Sequence, residues 1–339
     1  MVVMNQKALK NLSPANFAFV MSSGSVSLIL YKTGWLTLSW LILVIGLFGY
    51  LALVSLFTWR VFVIKREILK DFKDIQRMFK YLTFSAGSNG LSVSCYLFGY
   101  ELIGLILGIA GIISTIFLTY TLFCALFFHI QASIQAISPF WLLLAIACNS
   151  SGIVITTFWG KGTISNSGFL LLAFGFWTFG VFIYLIFMTL NLYRMIFFTF
   201  DGVDMDPCYW TCMGAAAIAV VDGSLFISTR NPPLFLDNLR PFMEGVILFL
   251  WGWGTAWIPI LCLMELWKWA YFKVPFRYQP SRWAMVFPFA MYTAATDVLN
   301  ASIHVDALQI MVQILLWITF VFWCLVLYMS RLNPFSIIL

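Results

Sequence analysis

Charge is what this sequence has least of. Only 9% of its 339 residues are Asp, Glu, Lys or Arg, against roughly 25% in an ordinary soluble domain. A soluble globular chain is thereby excluded. Histidine is scarcer still: the two, His129 and His304, fall at opposite ends of different apolar segments and cannot share a site. No phosphate loop and no zinc-spaced cluster of Cys and His occurs, which removes the usual signatures of an intramembrane enzyme. The seven cysteines are mostly scattered. Cys208 and Cys212 stand at helical spacing, but no further ligands lie nearby, so they read as buried apolar thiols. No cofactor and no metal is expected.

Apolar residues take the place of charge, at 62% of the chain with a mean hydropathy of +0.96. Runs of about 17 to 25 such residues are long enough to cross a hydrocarbon core of roughly 30 Å as helices. Ten recur, at 14–31, 35–59, 79–99, 102–128, 138–158, 168–192, 207–229, 242–267, 281–303 and 307–330. Residues 1–339 therefore read as a single all-α integral membrane domain. The one sizeable break, the charged loop 60–80, has room for a short interfacial helix but not for a domain. Lys7 and Lys10 before "FAFVMSSGS" imitate a signal peptide. The uninterrupted apolar core there is only five residues, so the first span is read as retained.

Basic residues are unevenly placed. Fifteen lie on the side of the N-terminus, seven of them in 60–80, and four lie opposite: Lys32, Lys161, Arg230 and Arg240. By the positive-inside rule both termini face the cytoplasm of a cell (plasma or inner) membrane. The net charge of +6 is then topological and implies no nucleic acid.

The spans alternate in character. Even-numbered ones are bulky throughout, as in "LILVIGLFGYLALVSLF", and suit contact with lipid. Odd-numbered ones carry small and polar clusters: "SSGS" at Ser22, "SAGSNG" at Ser85, "CNSSG" at Cys148, "GAAAIA" at Gly214 and "TAATD" at Thr293. Four of these five open with a proline soon followed by an aromatic: Pro14, Pro139, Pro207 and Pro280. Proline at a first helical turn sacrifices no hydrogen bond. Close packing accounts for small residues in any one membrane helix, but not for polarity in every second one. Five polar inner helices around a path, enclosed by five greasy outer ones, is the economical architecture.

"DPCYWTCMGAAAIAV" (206–220) and "PFRYQPSRWAMVFPFAMYTAAT" (275–296), with looser matches at "FAFVMSSGSVSL" and "FSAGSN", resemble the tellurite-resistance and C4-dicarboxylate transporter family. Its members include TehA, malate permeases, sulfite exporters and slow anion channels. The resemblance implies five helical hairpins in a ring, odd helices forming a central anion pore, assembly as homotrimers, and a phenylalanine gate in the pattern W-A-x-x-F-[PG]. Here that pattern is "WAMVFP", which points to Phe287 beside Pro288. Proline deletes a backbone donor and crowds the preceding turn, so a kink is expected at this point.

An anion path needs donors that partly replace hydration. The candidates are Ser22, Ser25, Ser85, Ser88, Asn89, Asn149, Ser150 and Thr293, with Ala216 in the small cluster of the seventh span. No basic residue lies mid-span, which favours weak passage of small inorganic anions or C4-dicarboxylates such as malate over tight capture. Asp222 and Asp297 depart from the scheme, and helical phase turns Asp222 inward. Three readings stay open: neutralisation by Arg230 or Arg240, a shared proton serving proton-coupled dicarboxylate or sulfite/tellurite export, or packing away from the path. A cation pathway through the two carboxylates, and a structural or receptor role, are the remaining rivals.

Overall fold

The computed structural model describes residues 9–10, 12–129, 133–160, 162, 166–199, 202, 205–229, 232–273 and 278–332. Lys7, Lys161, Arg230 and Arg277 of the charge count lie outside the described residues. Backbone polar groups in hydrocarbon must be satisfied within their own segment, and the apolar runs accordingly fold as ten long helices among the described residues. They are α1 (Ala18–Lys32), α2 (Leu36–Val63), α3 (Ile75–Leu97), α4 (Glu101–Cys124), α5 (Leu143–Gly160), α6 (Ser167–Phe197), α7 (Thr211–Ile227), α8 (Leu234–Ala270), α9 (Trp283–Ile303) and α10 (Asp306–Leu332).

Eight of them are long and apolar enough to cross a membrane by length and composition alone. The other two, α3 and α9, run for 23 and 21 residues, which is also spanning length, but they are more polar. Consecutive helices pair as hairpins, α1 with α2 through to α9 with α10. The odd helices also pack in a closed ring, in the order α1, α3, α5, α7, α9 and back to α1.

Burial follows this division. Of the apolar windows, 83–94% is buried in α1, α5 and α7, and only 28–33% in α2, α4, α6, α8 and α10. Phe48, Phe62, Phe182 and Leu263 stand exposed on the outer helices. So much contiguous apolar surface is untenable in water and natural against lipid.

Local chemistry sets the helix ends. Four inner helices begin with a 3-10 turn carrying Pro14, Pro139, Pro207 or Pro280 at its start. Ser13 and Asp206 cap two of these turns through their side chains. The exception, α3, is capped instead by Asp74, whose Oδ1 accepts from the N–H groups of Gln76 and Arg77. At the opposite ends, α1 and α3 close alike on Gly34 and Gly99, at φ +88° and +85°. In both, the next residue donates to the carbonyl five residues back, Trp35 to Leu30 and Tyr100 to Cys95. This left-handed cap favours glycine.

The charged break resolves into the last turn of α2, a short helix Lys65–Asp71 and the start of α3. Asp71 gathers it: its carboxylate accepts from Arg60 and Arg77, each at 2.6 Å, and from the Tyr81 hydroxyl at 2.9 Å. Arg60 is fully buried, so this cluster clamps the first two hairpins together at that membrane edge.

Candidate functional site

Where the inner helices converge they leave a cavity of about 30 Å3, room for about one water. All five line it: Gly24 and Ser25 from α1, Asn89 and Gly90 from α3, Ser150 from α5, Ile218 from α7, and Phe287 with Met291 from α9. Phe287 is 2% exposed, enclosed by the ring. The Ser25 hydroxyl donates to the Met21 carbonyl at 2.9 Å, and that of Ser150 to the Ala147 carbonyl at 2.8 Å. The Asn89 amide donates to Ser150 and Ser151 at 2.9 and 3.0 Å. The polar protons around Phe287 are thus engaged, and what borders the gap is mostly hydrocarbon.

Leu28, Val93 and Ile153 border both this cavity and a second of about 270 Å3 on the side of the Gly34 and Gly99 turns. This mouth takes Lys32 from α1, Thr156 and Thr157 from α5, and Ser228 and Thr229 from just past the end of α7. The lining positions recur one turn apart, as Ser25, Leu28 and Lys32 on α1 and as Ser150, Ile153 and Thr156 on α5, which is helical periodicity on an axis-facing stripe. A third chamber, of about 590 Å3, opens between α7, α8 and α9 and is lined by Lys32, Ser224, Ser228, Glu244 and Ser302. Lys32 borders both the mouth and this chamber.

Of the residues singled out from sequence, Ser25, Asn89, Ser150 and Phe287 meet at the central cavity. The others are turned elsewhere. Ser22 donates to the Trp283 carbonyl at 2.6 Å and ties α1 to α9 one turn before Phe287. Ser85 meets Ser114 of α4 at 2.8 Å, and Ser88 meets Tyr50 of α2 at 3.1 Å. Asn149 donates to the Ala145 carbonyl at 2.8 Å and packs on Gly180 of α6. Ala216 lies beside Gly254 of α8, and Thr293 bonds back to the Phe289 carbonyl at 2.7 Å. The Pro288 ring seats on Gly214 of α7, where an added methyl would meet it at 2.8 Å; α9 continues through Pro288 as one helix.

The two aspartates have unlike surroundings. Asp222 is fully buried, and neither carboxylate oxygen has a hydrogen-bond partner among the described residues. It lies against Gly152 of α5, where a Cβ would stand 2.3 Å from Oδ2, and so faces a neighbouring helix rather than the cavities. Asp297 is half-buried and interacts through space with Lys32. Arg240, expected as a neutralising partner, instead forms an ion pair with Asp237 and donates to the Thr229 carbonyl, both at 3.2 Å. Arg230, the other expected partner, lies outside the described residues.

On the far side of Phe287 the basic residues are largely occupied. Arg194 donates to the Ile137 carbonyl at 2.9 Å and to the Tyr209 hydroxyl at 3.3 Å. Arg282 is buried at the start of α9, within electrostatic reach of Glu265 and Asp206. Ahead of it, burial raises the pKa of the Tyr278 phenol, which accepts from Trp283 Nε1 at 3.3 Å; it remains neutral and adds no charge at that entrance.

The family model of the voltage-dependent anion channel (SLAC1) matches residues 11–330. The chain belongs to that family. Among curated relatives, an uncharacterized transporter of Methanocaldococcus jannaschii is 26% identical over 94% of this chain and 92% of its own length. An uncharacterized membrane protein of Mycobacterium tuberculosis is 27% identical over 42% of this chain and 72% of its own. Membership of the voltage-dependent anion channel family makes this a multi-pass membrane protein of anion transport. Sequence reasoning missed Lys32, counted only as a charge at a span end. Its register with Ser25 and Leu28 was the signal that could have found it.

Proposed function

We propose that the chain conducts small anions, inorganic ones or C4-dicarboxylates such as malate, along the axis of its inner ring, and that Phe287 closes the path. The observation that carries this reading is the convergence of all five inner helices on the cavity of about 30 Å3 that Phe287 lines. The wider mouth outward of it supports the same axis. With the Ser25 and Ser150 hydroxyls bonded to helix carbonyls, the constriction offers an anion weak contacts rather than a tight site, which suits a channel. The positive-inside distribution supports a cell membrane with both termini on its cytoplasmic side, and the exposed outer helices leave apolar faces for lipid and for assembly as homotrimers.

The test is current through purified protein in planar bilayers under a chloride gradient, wild type against Phe287→Ala. The expected outcome is a rise of at least about tenfold, equivalent to lowering the barrier by ~1.4 kcal/mol, with reversal near the anion equilibrium potential. Absence of current in both refutes a gated channel.

A second reading, proton-coupled export, is favoured by the unpartnered carboxyl of Asp222. On that reading proteoliposomes take up labelled malate under a proton gradient, and Asp222→Asn flattens the pH dependence of uptake. Unchanged pH dependence removes it.

A further inference from the structure

Lys32 is the one basic side chain, among the described residues, that borders the outer cavities. It stands two turns beyond Ser25 on the same stripe of α1, roughly 10 Å further out. Arg240 is spent on Asp237 and on a carbonyl, whereas Lys32, exposed at the end of α1, makes no ion pair or hydrogen bond at contact distance among the described residues. The carboxylate of Asp297 acts on it through space. In the same mouth, Thr156 is 4% exposed and its hydroxyl has no partner among the described residues. A buried hydroxyl is ordinarily bonded, so this one is a donor in search of an acceptor. The same mouth therefore holds a cation free of contact partners and an unsatisfied donor, the pair of groups an anion requires.

We infer that Lys32 and Thr156 form an outer anion-binding site in series with the Phe287 constriction, and that Asp297 is its built-in competitor. An anion arriving from outside takes the place of the Asp297 carboxylate as the counter-charge of Lys32, with Thr156 donating to it. Departure of the ion inward restores the Lys32–Asp297 attraction. Because the resident carboxylate opposes occupancy, the site stays weak enough to release what it collects, as conduction demands. The inference rests on the proposed anion path and adds to it an outer loading step and its regulator.

The experiment uses full-length protein carrying Phe287→Ala, in bilayers, with chloride raised on the outer face only. Lys32→Gln lowers anion movement from that face by roughly threefold to tenfold at low salt and leaves movement from the opposite face near its starting value, so the current rectifies. Lys32→Arg preserves both flows. Asp297→Asn shifts half-saturation by outer chloride to lower concentration, and Thr156→Val shifts it higher. Unaltered rectification in Lys32→Gln, or shifts of the same sign for the Lys32 and Asp297 exchanges, overturns the site. A Phe287→Ala background without anion current overturns the conduction reading as well, so the two failures are told apart.

Discussion

At the scale of single residues, the protein places polar groups for two purposes. Most hydroxyls on the inner helices are returned to backbone carbonyls or used between helices, as Ser22 is on Trp283 and Ser88 on Tyr50. Asp71 is the clearest structural case, since three donors converge on it and Arg60 is buried with it. Asp71→Asn leaves that guanidinium uncompensated, a loss of about 3–5 kcal/mol for a broken buried pair. The expected outcome is a lower midpoint of thermal unfolding in detergent, with ion selectivity unchanged in protein that stays folded. A midpoint within error of wild type would show the cluster to be solvated.

At the scale of helices, glycine decides how closely the ring closes. α1 and α3 touch backbone to backbone: a Cβ on Gly24 would lie 2.8 Å from the Gly90 carbonyl carbon. Neither backbone can yield without moving a helix. Gly24→Ala is therefore expected to destabilise by about 1–3 kcal/mol, as overpacking does, and to alter conductance because Gly24 borders the central cavity. Gly175→Ala is the control, since a Cβ there meets nothing within 4 Å on the outward face of α6. Thermal unfolding of the two variants side by side checks the contrast. The small residues of the odd spans thus serve the close packing that each cluster suggested by itself, and their alternation serves the ring.

At the scale of the whole molecule, five hairpins place every second helix inside. Val305 lies exposed at the turn between α9 and α10, and Lys73 is exposed between the short helix and α3. With Cys124, Cys262 and Cys324 replaced by Ala, Val305→Cys should react with a membrane-impermeant maleimide on intact cells, and Lys73→Cys only after permeabilisation. The reverse pattern would invert the orientation drawn from basic residues. Native mass spectrometry in mild detergent tests the trimer, where a monomer alone would refute it.

Much of this was legible in the sequence. Apolar runs of spanning length, alternating with polar clusters, determine an all-helical membrane chain and which helices go inside, because lipid admits few polar side chains and no unsatisfied backbone. The prolines determine where four inner helices begin, since their missing donor fits only a first turn. What only the tertiary structure decided is which way each inner residue points. An inner helix is buried on all sides, so it carries no apolar stripe from which its rotation can be read. Ser25 and Ser150 therefore face the axis while Ser85 and Asn149 face outer helices. For the same reason Asp222 lies against Gly152, and the carboxylate that acts on Lys32 through space is Asp297, from a helix some 265 residues along the chain. Contacts between distant segments are set by how the five hairpins close on one another, which local spacing does not encode.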